Sequence, residues 1–247
     1  MTNPPETHQR FLFVLFEGGG NVPPMLGLAR RLVERGHQVR VIGEPANEAE
    51  SRAVGCAFTA YTRAPHRFDK SAQSTFMDDY VGKSPTESLI RFIDKVMAGP
   101  ALEYAQDVLE ELQSRPVDLV VVNEFLFGGL FAAEKLGIPH VMVTPGIYNF
   151  YLPGLPPPGV TPPPGPAGWL LDKVYARIFG QLLNHALPGL KRARRGIGEV
   201  YHRDDESVLA RPQRAAVGVV GRDRAGGAAT GNRHRDTRTG HRPAVDL

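Results

Sequence analysis

An α/β fold built on a doubly wound parallel sheet is the class this sequence predicts, and three observations predict it. Unbroken apolar runs stand at residues 11–16 and 117–122, each suited to a strand buried on both faces. A stretch with apolar residues at helical spacing follows each run. A further short strand-like run follows each of those stretches. Strand, helix and strand therefore recur as one unit, the pattern of a right-handed crossover between parallel strands.

The first unit opens on FLFVLF, residues 11–16, and ends in Glu17, Gly18, Gly19, Gly20 and Asn21. Residues 22–35 place Met25, Leu28, Leu32 and Val33 on one helical face and Arg30, Arg31, Glu34 and Arg35 on the other. Gly36 suits the left-handed residue that closes such a helix. QVRVI, residues 38–42, alternates as a strand does; residues 48–54 read as a short helix and 57–61 as a third strand. Residues 62–85 are polar and show no period.

Residues 88–97 and 101–112 read as two amphipathic helices, and Pro116 introduces the strand at 117–122. Residues 125–136 form a helix closed by Gly137, and 138–144 a further strand. Eight prolines crowd residues 152–166 and rule out helix and sheet there, which leaves a stiff loop. Residues 169–187 return to helical spacing, with Leu170, Val174, Ile178 and Leu182 on one side. The organisation expected is a flexible start at 1–10, a Rossmann-like domain over 11–200 and a disordered tail over 201–247. The tail holds one aromatic residue, Tyr201, and no Ile, Phe or Lys, too little apolar surface for a core. Its Arg, Gly and Ala content also suits a reading frame entered by accident.

Composition excludes several functions. A single cysteine, Cys56, forbids a disulfide framework or zinc ribbon, and no metal site is expected. Residues 1–10 lack the apolar stretch of a secretory signal, and no run approaches the ~20 apolar residues of a membrane span. A cytoplasmic location is the expectation. The net charge of +3 arises mainly at 191–195 and in the tail, without aromatic residues interleaved for base stacking, so no specific nucleic-acid partner is expected. A nucleic-acid role would rest on the tail alone.

The glycine-rich turn after the first strand suggests anion binding at a helix N-terminus. The dinucleotide form is not met, because Pro23 stands where the third glycine belongs, and no Lys-Ser/Thr pair completes a P-loop. No cofactor is expected.

Residues 11–43, FLFVLFEGGGNVPPMLGLARRLVERGHQVRVIG, join a strand, a Gly-x-Gly turn with a later proline, an Ala-Arg-x-Leu helix and an Arg-Gly-His-x-Val step. Residues 117–145, VDLVVVNEFLFGGLFAAEKLGIPHVMVTP, repeat the strand–helix–strand plan, and VGCAF at 54–58 steps into the third strand. Together these resemble the N-terminal, acceptor-binding half of GT-B-fold glycosyltransferases of the UDP-glycosyltransferase-like, macrolide-type kind, over roughly residues 10–200. The resemblance implies a two-domain enzyme. Its first half binds the acceptor alcohol and its second half binds a nucleotide-sugar donor, and direct displacement inverts the anomeric centre. Residues 205–247 contain nothing like the donor motif. The implied partners are a small apolar acceptor, such as a natural product, and a donor-binding domain or chain supplied separately.

In that family the base is a His or Asp in the first turn, often oriented by an Asp after the fourth strand. The matching positions here are Asn21 and Asn123, and neither amide accepts a proton at neutral pH. Three readings stay open. Asn21 orients the hydroxyl while Glu17 or Glu124 acts as base; or the acceptor needs little activation; or the protein is catalytically weak. Asn21 equally suits a helix cap, and Glu124 a solvated strand end. Gly18, Gly19 and Gly20 are expected to turn tightly beneath the acceptor, using the positive φ open to glycine. Tyr148, Phe150 and Tyr151, with Trp169, are candidates for the pocket wall or for ordinary packing. His37 reads as structural, and His66 and His140 show no evident partner in sequence. The functions carried forward are glycosyl transfer and, as the alternative, non-catalytic binding of an apolar ligand or an inactive truncated product.

Overall fold

The computed structural model describes residues 8–18, 20–74, 84–144, 163 and 165–198. The tail at 201–247, most of the proline-rich loop and most of residues 1–10 lie outside the described residues, as do Gly19, Tyr148, Phe150 and Tyr151.

Five strands form one parallel sheet in the order β3-β2-β1-β4-β5. They are β1 (Arg10–Val14), β2 (Gln38–Gly43), β3 (Ala57–Ala60), β4 (Leu119–Asn123) and β5 (His140–Val143). Val14 stands opposite Ile42 on one side and Val122 on the other. The fold is therefore the Rossmann-like α/β class the sequence predicts.

The alternation of strand side chains explains why β1 is apolar throughout. Phe11, Phe13 and Leu15 pack on one face against Met25, Leu26 and Ala29 of α1 (Val22–Glu34). Leu12, Val14 and Phe16 pack on the other against α4 (Ala101–Ser114) and α5 (Phe127–Lys135). Pro23 sits in the first turn of α1, where a missing N–H costs little. Gly36 ends that helix at φ +85°, donating its N–H to the Val33 carbonyl at 2.8 Å. α2 (Glu48–Ala53) leads into β3.

The α4–α5 contact depends on Gly128, where a β-carbon would fall inside hard contact with the Ala101 carbonyl. Its neighbour Gly129 lies flat on Val14 and Val122, 3.1 and 3.2 Å from where a β-carbon would stand. α7 (Leu187–Gly196) closes the same layer against α4, with Arg194 buried over the Phe131 ring and bonded to Glu134 at 2.5 Å.

Three expectations change. The helix at 88–97 divides into α3 (Pro85–Phe92) and a wider turn at Ile93–Met97, whose close is tight enough that only glycine fits at 99. The helix expected from residue 125 begins at Phe127, because the Asn123 side chain accepts the Phe125 N–H at 3.1 Å and holds a turn there. The helix expected over 169–187 is α6 (Pro166–Asn184), followed after two residues by α7. Pro166, assigned to the loop by its composition, is the first residue of α6, a position that tolerates proline.

Candidate functional site

From β1 the chain runs outward to β2, and from β4 it runs the opposite way to β5. The order reverses between β1 and β4, and it is beyond the carboxyl ends of strands at such a reversal that open parallel sheets bind ligands. The loop after β1 supplies Glu17, Gly18, Gly20 and Asn21, and the end of β4 supplies Asn123 and Glu124.

The β1 loop is anchored from beneath. The Leu15 N–H donates to the Ile42 carbonyl at 2.9 Å, and the Tyr61 hydroxyl donates to the Leu15 carbonyl at 2.9 Å. The Glu17 N–H donates to the fully buried Glu44 carboxylate at 2.9 Å. The other Glu44 oxygen accepts the Arg67 N–H at 2.7 Å. Burial pushes the Glu44 carboxyl above its usual range, and these two N–H donors only partly reverse that.

Glu17 is buried, and its carboxylate accepts from the Asn47 amide at 2.5 Å and from the Lys70 ammonium at 3.3 Å. Lys70 also meets Glu50 at 2.6 Å. Burial lowers the Lys70 amine, but its contacts with Glu50 and Glu17 outweigh burial and its pKa is raised. Glu17 is thus held in an ion pair on the β2 side of the loop.

Asn21 occupies the cap position of α1 with helical backbone angles, φ −79° and ψ −32°, and its side chain makes no capping bond. Its amide instead lies over Gly18: a β-carbon at Gly18 would stand 2.6 Å from Asn21 Nδ2 and 2.7 Å from the Phe16 ring. Neither Gly18 nor Gly20 adopts a positive φ. The expectation of left-handed glycines is corrected for Gly18 and Gly20, Gly19 lying outside the described residues; Gly18 is required by close approach, and a β-carbon at Gly20 would meet nothing within 4 Å.

Asn123 is fully buried, and its Nδ2 has no hydrogen-bond partner among the described residues. A buried unpaired amide costs about 1–3 kcal/mol. Glu124 is fully buried as well, which corrects the reading of a solvated strand end; its N–H donates to the Val143 carbonyl at 3.1 Å.

Phe92, at the end of α3, bridges the two loops. Its ring lies 6.2 Å from Phe16 and 4.7 Å from Phe125, edge-on to both. The sequence held no signal for this trio, which topology alone assembles. Glu44 and Asn47 were also missed, although a polar residue directly after an apolar parallel strand is a readable cue. The remaining aromatic candidate, Trp169, is 61% exposed.

The histidines take structural places. His37 lies 5.4 Å from the Phe11 ring; His66 and His140, without evident partners in sequence, bond the Ala64 and Ile138 carbonyls at 2.8 and 3.2 Å. Cys56 is buried, and burial pushes its thiol up to about 11. Among the described residues no group of three His, Cys, Asp or Glu could hold a metal ion. A separate cavity of about 420 Å³ beside the β3 exit is lined by Arg63, Asp94, Lys95 and Glu103 among others, and by none of the candidate site residues.

No family model matches the chain. Over 216 residues it is 26% identical to 4'-demethylrebeccamycin synthase of Lentzea aerocolonigenes, covering 85% of this chain and 51% of the relative. The glycosyltransferase of kitacinnamycin aligns with a TM-score of 0.48 at 17% identity, over 76% of this chain and 39% of that one. The calicheamicin glycosyltransferase CalG4 aligns at 0.45 and 21%, over 82% and 41%. The chain spans about half the length of the curated relative it matches. The motifs of residues 11–43 and 117–145, the sheet they build and this relative agree that the chain resembles the N-terminal half of GT-B-fold glycosyltransferases.

Proposed function

We propose that this domain holds a hydroxylated, apolar small molecule between the β1 and β4 exits, as the acceptor half of an inverting O-glycosyl transfer from a nucleotide-sugar. The observation that supports this most is the reversal of strand order between β1 and β4, with Asn21 in the loop after β1 and Asn123 and Glu124 at the end of β4. The relative in sequence is by its name a synthase, 4'-demethylrebeccamycin synthase, which is in keeping with an enzyme.

Transfer needs a base within hydrogen-bonding reach of the acceptor hydroxyl, a contribution of about 10²–10⁴ in rate. Asn21 can orient that hydroxyl through its amide but cannot take its proton. Of the two carboxylates, Glu17 is already engaged by the Lys70 ammonium and the Asn47 amide. Glu124 is the base in this reading, and the diphosphate leaving group is received by the donor-binding domain or chain. The second reading is a binding module without chemistry. It is favoured by the amides at both positions, Asn21 and Asn123, where the resembled family has a proton acceptor and its orienting carboxylate.

Calorimetric titration tests both. The chain is expected to bind hydroxylated polycyclic compounds, more weakly after Asn21→Ala, and not to bind uridine or thymidine diphosphate-sugars tightly by itself. With a donor domain added, Glu124→Gln should lower transfer by about 10²–10⁴ while acceptor affinity holds. No transfer by the parent protein, with acceptor affinity intact, selects the binding module. Acceptor binding indifferent to Asn21 removes this site from consideration.

A further inference from the structure

α6 is nineteen residues long, and among the described residues no strand or helix makes an extensive contact with it. Its Leu170, Val174 and Ile178 are 59%, 45% and 48% exposed. Spaced four apart, they form one apolar stripe on the helix. Lys173 and Arg177, also four apart and exposed, form the stripe beside it. The Lys173 ammonium lies 3.7 Å over the exposed Trp169 ring, so indole and cation are presented together. Residues 166–198 contain six Lys and Arg and a single acidic residue, Asp172.

We propose that α6 docks on an anionic lipid surface. The apolar stripe enters the acyl boundary, Trp169 sits at headgroup level, and Lys173 and Arg177 pair with lipid phosphates. Such a combination of apolar stripe, tryptophan and flanking cations is what an in-plane interfacial helix requires. Among the described residues no helix is long and apolar enough to cross a membrane, so α6 lies on the surface and does not span it. Charge complementarity selects the occupant. Pairing the stripe with that of a second copy would bring two basic rows together, whereas anionic headgroups neutralise them.

Trp169 is the chain's single tryptophan, so its emission reports on this surface alone. The full chain is mixed at low salt with vesicles of phosphatidylcholine, with or without phosphatidylglycerol. Anionic vesicles should shift Trp169 emission to shorter wavelength and protect it from acrylamide, and added salt should reverse both. Neutralising both cations, K173Q with R177Q, should weaken association about 30-fold, from about 1 kcal/mol for each cation. Leu170→Ser with Ile178→Ser should abolish the shift. An unchanged emission, or an equal response to neutral vesicles, overturns the proposal. So does emission that is already blue-shifted and shielded before lipid is added, because the stripe is then covered by protein, this chain's own or a second copy's.

Discussion

Asn21 folds its amide back over Gly18, so closely that a β-carbon at Gly18 would stand 2.6 Å from Nδ2. The turn and the candidate hydroxyl-orienting group are therefore one unit. Gly18→Ala is expected to displace Asn21 and destabilise the fold by about 1–3 kcal/mol, the range for overpacking. Gly20→Ala, two residues on, adds a methyl group to open space at a negative φ. It should be neutral or stabilise by about 0.4–1 kcal/mol through the unfolded chain. Urea titration of the two variants separates these outcomes.

Asp107 on α4 ties down the chain leaving β3. Its buried carboxylate accepts from the Thr62 N–H and hydroxyl at 3.0 and 2.9 Å, and from the Arg63 and Ala64 N–H groups at 3.0 Å each. Burial raises its pKa, but the donors outweigh burial and the net value lies below the usual 3.8. A depressed acid stabilises the fold above its unfolded pKa, and that stability is lost as pH falls through the folded value. Asp107→Asn should cost about 1.5–3 kcal/mol at neutral pH. The loss should shrink below about pH 4, where the wild-type carboxylate protonates too.

Glu44 has the opposite sign. Burial holds its carboxyl above the usual range, so its contribution is greatest at acid pH and declines as pH rises through the folded value. Glu44→Gln removes that pH dependence but turns an NH₂ toward one of the two N–H donors, those of Glu17 and Arg67. The net expectation is a loss of about 1–3 kcal/mol. Thermal melts across pH 4–8 should show a wild-type slope that the variant lacks.

The sheet was legible because β1 and β4 are apolar on both faces, and a strand with two buried faces has no polar alternation to hide it. Gly36 and Gly137 also read correctly, at φ +85° and +65°. The site was legible only as positions along the chain. That Glu17 turns to Asn47 and Lys70 depends on residues 30 and more positions away, which no local spacing encodes. Nor did helical spacing disclose that the α6 stripe faces outward: periodicity identifies an apolar face, while burial depends on what packs against it.

Asn21 and Asn123 lie on different strand exits, and the proposed acceptor site requires that they face one space. Asn123→Asp places a carboxylate at a fully buried position directly before buried Glu124. An uncompensated buried charge there should cost about 3–5 kcal/mol at neutral pH. Burial raises such a carboxyl, so stability should return as pH falls below its folded pKa. Asn21→His adds an imidazole that can pair with the new carboxylate only if the two side chains meet. A double-mutant cycle should then give a favourable coupling of about 0.5–3 kcal/mol. Additivity within about 0.5 kcal/mol would place the two side chains apart and leave Asn123 buried for packing alone. A coupling that grows near the histidine's own titration range would identify the imidazolium–carboxylate pair as its source.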